Sequence, residues 1–232
     1  MQFLHTPTIW QTFPELVAGA IHIDGIHDHA SVQPALTRHL DIAKAKLQAG
    51  AESDLPAIQA WRRAFARMGL KPTQYRCAAE ALLRRLRKEG NLPPLHPLVD
   101  LCNAVSVAYA IPIAVFDLAH VAGNLQVRHA MGDEDYLAFS GEHERPDTGE
   151  VIFADDSRHV HARRWCNRQS ALSAIRPATA RVLIVLEAMH DTAAHDVPEL
   201  LGALAGEISA LWDARVRSAV LTTEAPVFEC TQ

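Results

Sequence analysis

The sequence lacks the patterns that mark several large classes of protein. Its four cysteines form no CxxC pair and have no metal-finger spacing, which argues against a zinc finger and mildly favours reduced thiols in the cytoplasm. No uncharged apolar run reaches the roughly 18 residues that a membrane helix needs. The N-terminal MQFLHTPTIW has no basic flank and no continuous apolar stretch. We therefore expect neither a membrane span nor a signal peptide.

Catalytic and cofactor-binding motifs are missing as well. The chain contains no P-loop, no GxGxxG after a strand, no GxSxG elbow and no HExxH, so nucleotide hydrolysis and serine-hydrolase chemistry have no support. His22, Asp24, His27 and His29 lie close together, but their spacing is not that of a recognised zinc site. We expect no metal and no cofactor.

What is present is an ordinary globular composition with unevenly distributed charge. Apolar residues make up 49% of the 232 residues, charged residues 21%, and the formal net charge is -5. Such a chain can bury a sizeable core and is far from the composition of disorder. Basic residues concentrate between Trp61 and Gly90 and again between Arg158 and Arg181. These clusters either attract phosphate or form solvated faces, and for a single cluster the solvated face is favoured.

Hydrophobic spacing predicts helices toward both ends and strands in the middle. The predicted helices span residues 31–48, 55–68, 73–88, 96–109 and 198–218, with Pro198 in a first turn. The strand-like segments span residues 16–26, 125–129, 136–139, 150–154 and 159–164, and residues 179–189 are rich in Val, Leu and Ile. This order indicates an α+β fold rather than a doubly wound sheet.

Four motifs in a fixed order resemble one known family. They are LVDLCNAVSVAYAIPIAVFD at Leu98–Asp117, NLQVRHA with the following GDE at 124–134, TGEVIFAD at Thr148–Asp155 and VLIVLEAM at Val182–Met189. The series is similar to the editing domain of the phenylalanyl-tRNA synthetase beta subunit, the tandem B3/B4 domain. The likeness spans about residues 16–218 and is sharpest over 96–189. The basic, aromatic HARRWCNRQS at His161–Ser170 replaces a Gly-rich segment of the synthetase and looks like the free-standing branch of the family.

The resemblance implies a fold and an activity. The expected fold is one layered α+β domain over residues 1–232, with a β-sandwich of unusual topology flanked by helices. The expected activity is hydrolysis of mischarged aminoacyl-tRNA in trans, with tRNA or aminoacyl-tRNA as partner and neither DNA nor a membrane involved. Such a hydrolase corrects synthesis, because a hydrophobic pocket rejects an analogue with one extra hydroxyl by only about 10²-fold. The alternative is a non-catalytic module that binds tRNA or an amino acid.

The resemblance also implies site residues. Asn103 matches the pocket asparagine near the ester, and Glu187 matches the glutamate that recognises a tyrosine hydroxyl, so these two are the predicted catalytic pair. Ala114 stands where the family usually has histidine, and His96 is a candidate to replace it. The other predicted ligand-binding residues are Arg163, Arg164, Trp165, Asn167 and Gln169.

The residues themselves leave alternatives to these roles. Glu187 inside an apolar run is either a ligand-binding group or the partner of an arginine such as Arg164. Asn103 is either a pocket residue or a backbone cap. If residues 163–169 are extended, Arg163, Trp165 and Asn167 share one face of the strand.

Overall fold

The structure, a computed structural model, describes residues 1–230, and within that range it has six α-helices and twelve strands. The helices are α1 (Pro7–Thr12), α2 (Gln33–Ala49), α3 (Pro56–Arg67), α4 (Ala78–Glu89), α5 (Pro97–Tyr109) and α6 (Ala193–Leu211). The strands are β1 (Gln2–His5), β2 (Val17–Asp24), β3 (Ile113–Asp117), β4 (Leu125–His129), β5 (Asp135–Leu137), β6 (His143–Glu144), β7 (Val151–Asp155), β8 (His159–Arg163), β9 (Arg168–Gln169), β10 (Arg181–Ala188), β11 (Arg215–Leu221) and β12 (Val227–Glu229).

The strands form two sheets of different character. The larger sheet has the order β12-β1-β4-β7-β8-β5-β6, with β9 paired to β8, and it is mixed because β1–β4 and β5–β8 are parallel pairs. The smaller sheet, β11-β2-β10-β3, is antiparallel throughout. Its central strands β2 and β10 are buried along almost their whole length, which explains their nearly continuous apolar sequence.

One hydrophobic core joins the two sheets and the helices. The Phe116 ring on β3 lies 5.2 Å from the Phe153 ring on β7, so the sheets contact each other through aromatic side chains. Helix α6 packs on β2 and β11, and α5 packs on α2 and β3. The α+β fold expected from the sequence is thereby confirmed.

Two predicted helices have different bounds in the structure. Helix α4 begins at Ala78 rather than near residue 73, because Cys77 is its N-cap and the Cys77 Sγ accepts a hydrogen bond from Glu80 N. Helix α6 begins at Ala193, which puts Pro198 inside the helix, where a proline removes one helical hydrogen bond. It ends at Leu211, and the following residues pair with β2 as strand β11, because β2 would otherwise have an unpaired edge.

The segment 163–169 is not one extended strand, so the shared face of Arg163, Trp165 and Asn167 does not exist. Residues 164–167 form a turn between β8 and β9, and Arg164 and Trp165 have φ values of 46° and 58°. Local sequence patterns also did not predict α1, β1, β3, β6, β9, β11 or β12. Among residues 1–230, no helix is long and apolar enough to cross a membrane.

Candidate functional site

The predicted catalytic pair borders two different cavities. Asn103 lies on a cavity of about 220 Å³ between α2, α5 and residues 91–94, here called the α2–α5 cavity. Glu187 lies on a smaller cavity of about 60 Å³ where β3 and β10 meet the β8–β9 turn, here called the β3–β10 cavity. The predicted pair therefore does not share one of these cavities, since Asn103 lies on α5 and Glu187 on β10.

The β3–β10 cavity is lined by both polar and apolar groups. Asn167, Arg168, Gln169 and Glu187 border it together with apolar side chains that include Ala114. Of the predicted site residues it thus gathers Asn167, Gln169 and Glu187. Arg168 also lies there, although it was not a predicted site residue. In the sequence it is marked only by its position between the predicted residues Asn167 and Gln169.

Both amide side chains at this cavity are oriented by the backbone. Gln169 Nε2 donates to Val115 O at 2.5 Å, and Asn167 Nδ2 donates to Arg76 O at 2.8 Å. These bonds leave Gln169 Oε1 and Asn167 Oδ1 as hydrogen-bond acceptors. Two amide oxygens beside a carboxylate form a surface suited to a small cationic group such as an α-ammonium.

Strand β3 contributes backbone groups to the same cavity. Among residues 1–230 it pairs only with β10, so its other edge is open. In an antiparallel strand the N–H and C=O of one residue point the same way. Val115 directs its C=O to Gln169, away from β10, so Ile113, two residues earlier and bordering the cavity, also turns its backbone groups to the open edge.

Glu187 is buried and already has two side-chain partners. Its Oε1 lies 2.6 Å from His5 Nε2 and accepts a hydrogen bond from Trp165 Nε1 at 2.9 Å. The alternative prediction, an ion pair between Glu187 and Arg164, is wrong. The Arg164 guanidinium instead lies over the Tyr75 ring, 4.7 Å from its centroid. His5 was not among the predicted site residues. The sequence shows only that it alternates with the buried Phe3 in a strand of four residues.

The other predicted ligand-binding residues are engaged within the protein. Arg163 is buried and its guanidinium binds Glu150, with Nε–Oε1 at 2.9 Å and Nη2–Oε2 at 2.8 Å, and also binds Glu144. These hydrogen bonds raise the pKa of Arg163. His96 is the N-cap of α5, where its Nδ1 accepts from Leu98 N. Burial lowers the pKa of His96.

The charge state of the β3–β10 cavity follows from burial and pairing. Desolvation raises the pKa of the Cys166 thiol well above its ordinary value, so Cys166 is not a thiolate nucleophile at neutral pH. The hydrogen bond from Arg168 to Glu144 raises the pKa of Arg168. Arg168 is therefore a fixed cation at this cavity, paired with Glu144.

The basic cluster between Trp61 and Gly90 is largely neutralised by carboxylates of the same chain. Its ion pairs are Arg62–Glu80, Arg76–Glu80, Arg67–Glu15, Arg84–Glu52, Arg87–Glu52 and Arg85–Glu89. This pairing supports the solvated-face interpretation of that cluster. Arg168 borders the cavity and is half-buried, as is Arg164 in the β8–β9 turn.

Two clusters of chemically capable residues lie away from this cavity. His161 lies 2.8 Å from Ser173 Oγ and 3.3 Å from Asp155 Oδ2, but all three residues are buried and border neither cavity. Within residues 1–230, the one set of three close metal-ligating atoms belongs to His195, Asp196 and Glu199, at the start of α6. Neither cluster includes a residue that the sequence analysis placed in the site.

Comparison with known proteins gives a consistent family signal. The profile of the B3/4 domain family matches residues 60–199. Phenylalanine–tRNA ligase beta subunits from Cereibacter sphaeroides and Rhodopseudomonas palustris are 35% and 40% identical to the chain over 77 residues each. Those stretches are 33% of this chain and only 9% and 10% of the relatives. An N-terminal fragment of the phenylalanyl-tRNA synthetase beta subunit from Pyrococcus horikoshii matches 93% of this chain and 49% of its own, with a TM-score of 0.49 and 8% identity.

Proposed function

Since this chain belongs to the B3/4 domain family, as its motifs predicted, we propose that it hydrolyses mischarged aminoacyl-tRNA in trans, at the β3–β10 cavity. The observation that carries the proposal is the set of polar groups at that cavity, Asn167, Gln169 and Glu187 with Arg168 at the rim. We also propose the cytoplasm as its compartment, because mischarged tRNA arises where tRNA is charged.

The groups at the cavity have distinct proposed roles. Gln169 Oε1 and Asn167 Oδ1 accept hydrogen bonds from the α-ammonium group of the aminoacyl ester. The Ile113 N–H on the open edge of β3 donates to the ester carbonyl oxygen, where negative charge develops. Arg168, with Arg164 in the adjacent turn, attracts the phosphates next to the terminal nucleotide.

The proposed reaction needs water and no cofactor. The oxygen of water adds to the ester carbonyl carbon, and the bond from that carbon to the ribose oxygen then breaks. The proton lost by water goes to the ribose oxygen, so the products are a free amino acid and uncharged tRNA. With Ala114 in place of the family histidine, no side chain acts as general base, which we expect to lower the rate by about 10²- to 10⁴-fold relative to a site that has one.

Release of amino acid from a panel of aminoacyl-tRNAs tests the proposal. We expect Gln169→Ala to lower kcat/KM at least about tenfold, the loss typical of a positioning group, and the exposed Gln74→Ala to leave it unchanged. Asn103→Ala decides between the two cavities. If Asn103→Ala loses hydrolytic activity and Gln169→Ala keeps full activity, the site is the α2–α5 cavity. No release above the protein-free rate from any member of the panel would refute the proposed reaction.

A second candidate function is binding without turnover. It is favoured by Ala114 on the cavity wall and by Glu187, whose Oε1 is already held by His5 and Trp165. A module of this kind would bind uncharged tRNA with an affinity that falls steeply as salt is added. Fluorescence titration of labelled tRNA at several salt concentrations, combined with absence of ester hydrolysis, would identify this function.

A further inference from the structure

Trp165 is buried next to Glu187, a residue that borders the β3–β10 cavity. Its side chain is fully buried, with its ring 5.2 Å from Trp61 and 4.9 Å from Phe13, both in edge-on contacts. Its Nε1 donates to Glu187 Oε1 at 2.9 Å. The indole is therefore fixed by packing on two rings and by a hydrogen bond to the carboxylate that borders the cavity.

The backbone adopts an unusual conformation at this indole. Arg164 and Trp165 are consecutive non-glycine residues in the left-handed region, with φ values of 46° and 58°. Bulky residues seldom occupy this region unless the surrounding structure holds them there. Trp165 N donates to Val151 O at 2.6 Å, which secures the turn. The strained turn directs the indole inward, to the Glu187 end of the cavity.

The space that remains is small. The β3–β10 cavity has a volume of about 60 Å³, whereas a cavity that binds benzene has roughly 150 Å³. Its apolar lining comprises Ala78, Pro112, Ile113, Ala114, Phe153, Ala162 and Val185. A methyl or hydroxymethyl group fits such a space, and a phenyl or phenol ring does not.

We infer that the aminoacyl group bound at this cavity has a small side chain, of the size of alanine or serine, and that Trp165 is the residue that excludes aromatic side chains. This inference rests on the proposed function, because it names the substrate class of the same site. It assigns Glu187 the role of holding Trp165 and His5, in place of recognising a phenol hydroxyl.

Binding of stable substrate analogues tests the size limit without requiring turnover. The probes are adenosines carrying alanine, serine, phenylalanine or tyrosine through a 3′-amide instead of the ester, titrated by calorimetry against the wild-type chain. We expect the alanyl and seryl analogues to bind at least tenfold more tightly than the tyrosyl and phenylalanyl ones. Equal or tighter binding of the tyrosyl analogue, or binding of none of the four, would overturn the inference.

Two variants test the role of Trp165 itself. Trp165→Leu enlarges the cavity, and we expect at least a tenfold gain in affinity for the phenylalanyl analogue with less than a threefold change for the alanyl one. The matched control is Trp212→Leu, which removes another buried indole and its hydrogen bond to His27 O, far from this cavity. If Trp165→Leu does not fold, Trp165→Phe takes its place and should shift the affinity for the phenylalanyl analogue in the same direction. Unchanged selectivity in the folded variant contradicts the assignment.

Hydrolysis assays separate this inference from the proposed function. If tyrosyl-tRNA is hydrolysed faster than alanyl-tRNA, the proposed hydrolase activity is supported and the restriction to small side chains is refuted. If the alanyl analogue binds selectively and no ester is cleaved, the size limit stands and the hydrolase proposal falls.

Discussion

A carboxylate inside an apolar strand needs partners, and Glu187 has His5 and Trp165. The sequence showed that a partner must exist, because an unpaired buried charge costs several kcal/mol, on the order of the desolvation penalty for one ion. It did not show which partner, because His5 is 182 positions away along the chain. Trp165 was predicted to contact a ligand, and in the structure its indole contacts Glu187 and two aromatic rings.

Arg163 provides a prediction at the residue scale. Replacing it with methionine removes the two guanidinium hydrogen bonds that the buried Glu150 accepts, so we expect the free energy of unfolding to fall by about 3–5 kcal/mol. The control is Arg158→Met, which breaks the exposed pair with Asp133 and should cost less than about 1 kcal/mol. Urea denaturation measures both. Similar losses of unfolding free energy in the two variants would show that burial does not make the Arg163 pair more stabilising than the exposed one.

At the scale of elements, local spacing predicted the regular segments well and the connections poorly. Helices α2, α3 and α5 and strands β2 and β4 lie within two residues of their predicted bounds, because their apolar positions repeat with the period of the element. Strand β11 was predicted as part of a helix, since its amphipathic pattern is ambiguous over a few residues and its pairing with β2 decides the outcome.

The turn before β4 provides a prediction at this scale. Gly123 has a φ of 73°, and a Cβ there would overlap the carboxylate of Asp156, which accepts from Asn124 N. We expect Gly123→Ala to lower the free energy of unfolding by about 2–4 kcal/mol, from left-handed strain and overlap together. Gly141 has a φ of 87° with nothing near its Cβ position, so Gly141→Ala should cost only about 1–2 kcal/mol. Equal costs in thermal or urea unfolding would mean that the Asp156 side chain moves aside freely.

At the scale of the whole molecule, buried histidines connect stability to pH. Burial lowers the pKa of His22, His39 and His96 below the ordinary value, although Glu207 acts in the opposite direction at His39. In the unfolded chain these histidines take up protons below about pH 6.5, whereas in the folded chain they resist protonation. The unfolded state therefore binds more protons, and stability falls as the pH falls.

We expect the free energy of unfolding to be lower at pH 5.5 than at pH 7.5, with the loss concentrated below the ordinary histidine pKa. The lowered carboxylate pKa values, such as that of Glu150, act only at more acidic pH. His39→Gln should make the pH dependence shallower, as measured by urea unfolding at both pH values. A stability that is flat or rises between pH 7.5 and 5.5 would contradict the role of the buried histidines.

The sequence by itself determined the α+β class, most helices, half of the strands and the B3/4 family, because periodicity and motif order are properties of neighbouring residues. Only the tertiary structure decided the composition of the site. It put Asn103 and Glu187 on separate cavities, brought His5 to Glu187, and paired most of the basic cluster with acids. Each of these depends on contacts between distant segments, which are set by how the sheets and helices pack and leave no local pattern in the chain.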